Sequence, residues 1–171
     1  MNWLLDDGPL DDLARQFDSK WVWPASTLHV VGAVARAAER SPARTTLLNM
    51  ASRASPCIRV HTIVVGTPAE KILRQHLRPR FSVAPDDLGE HEAIALCAAQ
   101  EHDLVFVAND KRATYLALAE LGPRRVATPF DVWADLQERS LITADRFDAL
   151  CQQSVKRAGL ERLPRRCVRQ A

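Results

Sequence analysis

Three acidic residues stand at places in the sequence where carboxylates could act together. Asp6 follows the apolar run 3–5, Asp110 comes soon after the apolar run 104–107, and Glu90 opens an alanine-rich segment before the second run. Carboxylates that converge raise one another's pKa unless a cation lies among them. Mg²⁺ and Mn²⁺ take oxygen ligands and can activate water against a phosphodiester. The three acids are therefore candidate metal ligands and catalytic residues.

The same acids also have a purely structural explanation. Each stands at or near the start of a predicted helix, where the helix dipole stabilises an N-cap or first-turn carboxylate. Glu90 shares a helical stripe with Ala93, Ile94 and Cys97 and is predicted to point inward, whereas Glu92 falls on the flank of that stripe. A carboxylate on an apolar stripe is costly unless it is paired or bound to metal. Spacing alone leaves both explanations open.

The elements that must position these acids alternate between strands and helices. Strands are predicted at 3–5, 21–23, 58–65, 104–107 and 125–127, and helices at 9–17, 24–39, 45–53, 68–77, 90–100, 111–121, 130–139 and 143–157. This order predicts an α/β fold, a three-layer α/β/α sandwich with a central, mostly parallel sheet. Ligands bind such folds at the carboxyl ends of the strands, where Asp6 and Asp110 are expected.

Composition narrows the class of protein. The 171 residues are 47% hydrophobic and 26% charged, which fits one globular domain and argues against disordered and fibrous chains. The apolar runs are too short to span a bilayer and the N-terminal residues lack a basic region, so we expect neither a membrane segment nor a signal peptide. Four cysteines without CxxC spacing indicate reduced thiols, and hence a cytoplasmic location.

Charge is unevenly distributed along the chain. The net charge of +2 does not by itself indicate a nucleic-acid partner. Residues 157–171, however, are rich in arginine, with Glu161 as their one acid. This basic tail is either a frayed, solvated end or a phosphate-binding segment. For the second case, we expect Arg165, Arg166 and Arg169 to lie outside the compact domain and to contribute to RNA binding.

Three segments together resemble the PIN-domain family. Residues 4–10, Leu-Leu-Asp-Asp-Gly-Pro-Leu, resemble the family's first strand with its Asp, small residue, Gly-Pro-Leu sequence. Residues 88–96, Leu-Gly-Glu-His-Glu-Ala-Ile-Ala-Leu, resemble the Gly-Glu-x-Glu-Ala-Ile-x-Leu segment of one branch. Residues 105–113, Val-Phe-Val-Ala-Asn-Asp-Lys-Arg-Ala, resemble the strand, Thr-x-Asp, basic, Ala segment that follows, with Ala in place of Thr. The segments occur in the family's order and near its spacing, over residues 2–140.

PIN domains of this kind are metal-dependent ribonucleases, and many are VapC-like toxins paired with an antitoxin. The resemblance implies that Asp6, Glu90 and Asp110 are the catalytic acids and bind Mg²⁺ or Mn²⁺. Asn109 and Asp7 would support them. We assign residues 1–140 to a PIN-like domain and residues 141–171 to a C-terminal helix and basic tail of the same domain.

Partners are implied in the same way. RNA is the expected substrate, an antitoxin protein and a second copy of the chain are the possible protein partners, and no membrane is expected. The RNA backbone would be held by four basic residues, namely Lys111, Arg112, Arg165 and Arg166.

One acidic residue that is usual in the family has no counterpart in this sequence. The family usually carries a further acid early in its second helix, about six residues after a proline. Counting from Pro24 reaches Val30, beside His29, and the nearest acid is Glu39. Weak metal binding and slow cleavage are therefore expected, and Val30→Glu is expected to restore a ligand if Val30 faces the other acids.

The missing acid also favours an alternative function, a PIN-like fold that has lost cleavage and binds RNA or protein. An unrelated α/β protein is the third interpretation, although the glycine fingerprint of a dinucleotide-binding protein is absent.

Overall fold

The computed structural model describes residues 1–16, 28–38, 42, 45, 58–77, 87–99 and 103–155. Five short strands form one sheet, and every neighbouring pair is parallel. The strands are β1 (Asn2–Leu5), β2 (Leu28–Val31), β3 (Ile58–His61), β4 (Leu104–Val107) and β5 (Val126–Ala127), and they lie in the order β3-β2-β1-β4-β5. The predicted parallel sheet is confirmed.

Helices cover both faces of this sheet. They are α1 (Asp7–Gln16), α2 (Gly32–Ala38), α3 (Pro68–Ile72) with a π-helical extension (Leu73–Leu77), α4 (Leu88–Ala98), α5 (Lys111–Leu121), α6 (Pro129–Glu138) and α7 (Ala144–Val155). A 3₁₀ turn (Pro123–Arg125) precedes β5. Helices α1, α6 and α7 pack together, and α4 packs against α2, α3 and α5, which confirms the three-layer α/β/α sandwich. None of the helices in the described ranges is both long enough and apolar enough to cross a membrane.

The central strands are buried on both sides. All four residues of β2 and of β4 are buried, as are the last three residues of β1. Successive side chains of a strand point to opposite faces, so burial of every residue requires cover on each face. The apolar composition of these strands, apart from His29 in β2, fits this double cover.

The order of the strands places a topological switch point beside β1. The chain adds β2 on one side of β1 and β4 on the other, with Leu5 opposite Val107 in the register. In open parallel sheets, ligands bind outside the carboxyl ends of the strands at such a switch point. Asp6 follows Leu5 directly, and its backbone N–H donates to the Val107 carbonyl at 2.9 Å. The first of the predicted site acids therefore lies at the switch point.

The long helix predicted over residues 24–39 is wrong. Residues Leu28–Val31 form β2, and α2 begins only at Gly32. A wholly buried strand and a buried helix are both continuous apolar runs, so periodicity could not separate them, although Val30 and Val31 favour a strand. Val30 pairs with Val60 of β3 and is fully buried. It does not occupy an early position of the second helix, and the substitution Val30→Glu has no basis.

The strand predicted over residues 58–65 is too long. It ends at His61, and Val64 and Val65 are 59% and 80% exposed. Gly66 has a φ of 89°, and Thr67 closes a turn by donating from Oγ1 to the Val64 carbonyl at 2.7 Å. The turn chemistry therefore overrides the β-branched composition. The strand predicted at residues 21–23 lies outside the described residues, as does the helix at 45–53 apart from Thr45.

Helix α1 begins two residues earlier than predicted. Its first residue is Asp7, and Pro9 lies within the first turn. A proline is tolerated there because the first-turn N–H groups have no partner within the helix. The earlier start places Gly8 inside the helix and next to the end of β4, which matters for the site.

Buried polar contacts attach the C-terminal helices to the rest of the fold. Ser154 donates from Oγ to Asp12 Oδ2 at 2.9 Å and accepts from Trp133 Nε1 at 3.1 Å, and all three residues are fully buried. Trp3 of β1 donates from Nε1 to Asp135 Oδ2 at 2.9 Å. Buried polar groups are stable in a core when they are paired in this way. These contacts fix α6 and α7 against α1 and β1.

Candidate acidic site at the carboxyl edge of the sheet

Asp6 and Asp110 are held by neighbouring strands. Asp6 is buried between the end of β1 and the start of α1. Asp110 is exposed, follows β4 and is the N-cap of α5, where its Oδ1 accepts from the Ala113 N–H at 2.9 Å. The structural explanation of Asp110 as a helix cap is thus confirmed. The cap uses one carboxylate oxygen and fixes the direction of the side chain.

Glu90 lies in the first turn of α4 and is half-buried. Burial raises the pKa of its carboxyl group from 4.5 to about 7, and the negative charges of Asp6, Asp110 and Asp87 add to the rise. The positive charge of Arg112 lowers this pKa in part. A helix N-terminus by itself favours an ionised carboxylate, so the other acids and the burial outweigh it. Glu90 therefore lies within electrostatic reach of both Asp6 and Asp110.

Asn109 fills the space between α1 and the start of α5. Its side chain is 8% exposed and lies against Gly8, where a β-carbon would overlap the carboxamide. The Nδ2 group finds no hydrogen-bond partner in the part of the chain that the structure describes. A carboxamide can present either its nitrogen or its oxygen to such a position, since the two ends exchange by a flip. The sequence pattern identified Asn109 only as a polar neighbour and Gly8 only as part of a turn.

Glu92 has a structural role that the sequence pattern missed. It was expected on the flank of α4, but it is buried. Its Oε2 accepts from the Ala33 N–H at 3.0 Å, and its Oε1 lies 3.7 Å from Arg36 Nη2. A carboxylate at the N-terminus of α2 satisfies a donor that the short helix cannot satisfy itself. Gly89 brings the two helices together, because a β-carbon there would lie 2.8 Å from Val34 Cγ2.

We predict that Glu92→Ala lowers the free energy of unfolding by about 1–3 kcal/mol, because the Ala33 N–H loses its acceptor in a partly buried position. Glu92→Gln keeps a carbonyl oxygen and should lose less. Urea unfolding measures both. The control is Glu120→Ala at an exposed position of α5. Equal losses for Glu92→Ala and Glu120→Ala would contradict the capping role.

Two of the basic residues expected to bind RNA lie beside the acids. Lys111 and Arg112 are exposed in the first turn of α5, and Arg112 Nη2 lies 3.1 Å from Asp87 Oδ2. Arg165 and Arg166, with Arg169, lie outside the described residues. Asp7 is the first residue of α1 and is half-buried.

The donor atoms of the site suit a hard divalent cation. Carboxylate oxygens are the ligands that Mg²⁺ and Mn²⁺ prefer, and a cation would favour the ionised form of Glu90, whose pKa is raised by burial and by the neighbouring acids. Within the described ranges, however, no three His, Cys, Asp or Glu side chains are arranged to hold a metal ion. The Asp110 cap directs one of its carboxylate oxygens toward the backbone of α5. The acids are gathered at one edge but not around one point.

The structure thus brings Asp6, Glu90 and Asp110 to the same edge, with Asn109 and the two basic residues of α5 next to them. The arrangement can attract a cation and, through Lys111 and Arg112, an anionic chain. No family model, no curated protein and no solved structure matches this chain.

Proposed function

We propose that the protein is a PIN-like, Mg²⁺- or Mn²⁺-dependent ribonuclease. The observation that carries the proposal is the position of Glu90 beside Asp6 and Asp110 at the switch point of the sheet, where burial and then the charges of these two acids raise the pKa of Glu90. Carboxylates are retained in such an arrangement when a cation or a shared proton compensates them. The resemblance of the three sequence segments to PIN domains supports the same function.

Each residue has a separate task in this proposal. Asp6, Glu90 and Asp110 would hold the cation, which when bound supplies an activated water and neutralises charge on the phosphate. Asp6 is the most rigid of the three, because its backbone is bonded to β4 and its side chain is buried. Asp110 is oriented by the α5 cap, and Asn109 offers a buried carboxamide beside it. Lys111 and Arg112 would hold the RNA backbone.

A second function is favoured by a specific observation. Helix α2 follows β2 and is the second helix of the described chain, and it contains no acid. Arg36 stands there instead and pairs with Glu92. A site with three carboxylates replaces fewer of the waters around a cation than a site with four. An RNA- or protein-binding module without cleavage is therefore the alternative function. Pairing with an antitoxin and formation of a homodimer stay predictions.

The test is RNA cleavage with and without Mn²⁺. We expect slow cleavage by the wild-type protein that chelation abolishes, and a loss of at least about 100-fold in Asp6→Asn, because a ligand and a negative charge are removed. Asp145→Asn removes the same charge from an exposed position on α7 and should cleave normally.

Mn²⁺ titration by calorimetry separates the two functions. Binding that depends on Asp6 but is not accompanied by cleavage would favour the binding module. If neither Mn²⁺ binding nor cleavage depends on Asp6, the metal site is refuted.

A further inference from the structure

An exposed aromatic ring lies one helical turn from the acidic site. Tyr115 of α5 is 51% exposed, and no other Phe, Tyr or Trp side chain among the described residues is as exposed. The Lys111 ammonium lies over this ring, with Nζ 5.6 Å from the ring centroid. Such a pair at an exposed site contributes little to folding.

The position of the pair links it to the acids. Side chains on a helix lean toward its N-terminus, so the ring of Tyr115 covers the surface near the first turn of α5. That turn begins at Asp110, and Lys111 follows directly. Arg112, on the same turn, is close enough to Glu90 to lower its pKa. The aromatic face and the two cations therefore border the acidic site.

The chemistry of this surface matches one unpaired nucleotide. A base offers a flat π-face to the tyrosine ring, and the adjoining phosphate offers a negative charge to the lysine. Bases in a duplex are already stacked on one another and cannot reach an isolated ring. We propose that Tyr115 and Lys111 form a nucleotide platform, a binding site for one unpaired nucleotide beside the acids. This inference rests on the proposed ribonuclease function.

The test is the binding of a fluorescently labelled oligouridylate of about ten nucleotides, measured by anisotropy in EDTA so that no cleavage occurs. Tyr115→Leu should weaken binding by about tenfold, because a leucine does not stack with a base. Tyr115→Phe keeps the ring and should stay within about twofold of the wild type. An RNA duplex of similar length should bind Tyr115→Leu and wild type equally.

A charge control isolates the lysine. Lys111→Gln and Arg124→Gln each remove one exposed positive charge, and Arg124 lies in the 3₁₀ turn beyond the C-terminal end of α5. Lys111→Gln should reduce the salt dependence of oligouridylate binding by about one phosphate contact, whereas Arg124→Gln should not. Tyr115→Leu should leave the salt dependence unchanged.

Several outcomes would overturn the platform. These are no binding of the oligouridylate by the wild type, no loss in Tyr115→Leu, or an equal loss in Tyr115→Phe. Metal-dependent cleavage that is unchanged in Tyr115→Leu would refute the platform but would still support the proposed ribonuclease function. Binding that depends on Tyr115, without cleavage at any Mn²⁺ concentration, would keep the platform and refute the ribonuclease.

Discussion

Replacing Glu90 with glutamine is expected to stabilise the metal-free protein at pH 8 and to abolish its stabilisation by Mn²⁺. At pH 8 the melting temperature should rise by about 2–4 °C, which corresponds to about 1 kcal/mol in a chain of this length. This value is already reduced for solvent screening, because the side chain of Glu90 is only half-buried. Thermal unfolding at pH 5 and pH 8, with and without Mn²⁺, measures both effects.

The sign follows from the direction of the pKa shift. The folded protein raises the pKa of Glu90 from 4.5 to about 7, so between these values the folded chain binds more protons than the unfolded chain. Stability from this group is therefore full below pH 4.5 and is lost as the pH rises toward 7. Glutamine cannot ionise and removes this loss. The variant should thus gain little at pH 5 and most at pH 8.

Added Mn²⁺ should reverse the order of the melting temperatures of wild type and Glu90→Gln. A ligand that binds only the folded state stabilises it in proportion to the logarithm of its concentration over Kd. Wild type has three carboxylates to offer the cation, whereas Glu90→Gln has two, so added Mn²⁺ should raise the melting temperature of wild type alone. The control Glu120→Gln lies at an exposed position of α5 and should change neither result. A gain at pH 8 equal to that of the control would show that the folded protein does not raise the pKa of Glu90.

The fold class was predictable because both signals behind it were local. Continuous apolar runs at 104–107 and 3–5 indicated buried strands, and the helical stretches between them required parallel connections. The helix prediction for residues 24–39 was wrong for a physical reason. β2 ends at Val31 and α2 begins at the next residue, Gly32, so no loop separates the two elements. The pairing of β2 with β1 and β3 identifies the strand.

The candidate site was predictable in part. Asp6 and Asp110 could be placed from the rule that ligands meet the carboxyl ends of parallel strands. The burial of Glu92 could not be predicted, because it depends on α2, whose Ala33 N–H donates to the carboxylate of Glu92. A helical stripe gives the face of a residue but not the helix that packs against that face. Glu92 therefore became part of the core contacts of α4, and Glu90 was left beside the acids.

A substitution at the contact between Gly8 and Asn109 is also expected to have a large effect on RNA cleavage. Gly8→Ala should reduce metal-dependent RNA cleavage by about 100-fold, because the new methyl group overlaps the Asn109 carboxamide and displaces this buried side chain beside Asp110. Alanine favours a helix over glycine by about 1 kcal/mol, so the free energy of unfolding reports the overlap only after that gain is subtracted. Urea unfolding and the cleavage rate should both be measured.

A double-mutant cycle shows whether Asn109 transmits the effect. Asn109→Ala removes the carboxamide and leaves room for the methyl group, so Gly8→Ala should be neutral or stabilising in that background. The cleavage rate of Gly8→Ala/Asn109→Ala should equal that of Asn109→Ala, since the displaced group is already gone. Effects of the two substitutions that simply add, in stability or in rate, would show that Gly8 acts on the site through some other contact. Because the buried carboxamide lies against α1 and directly precedes Asp110, the cycle measures how firmly the end of β4 is held for catalysis.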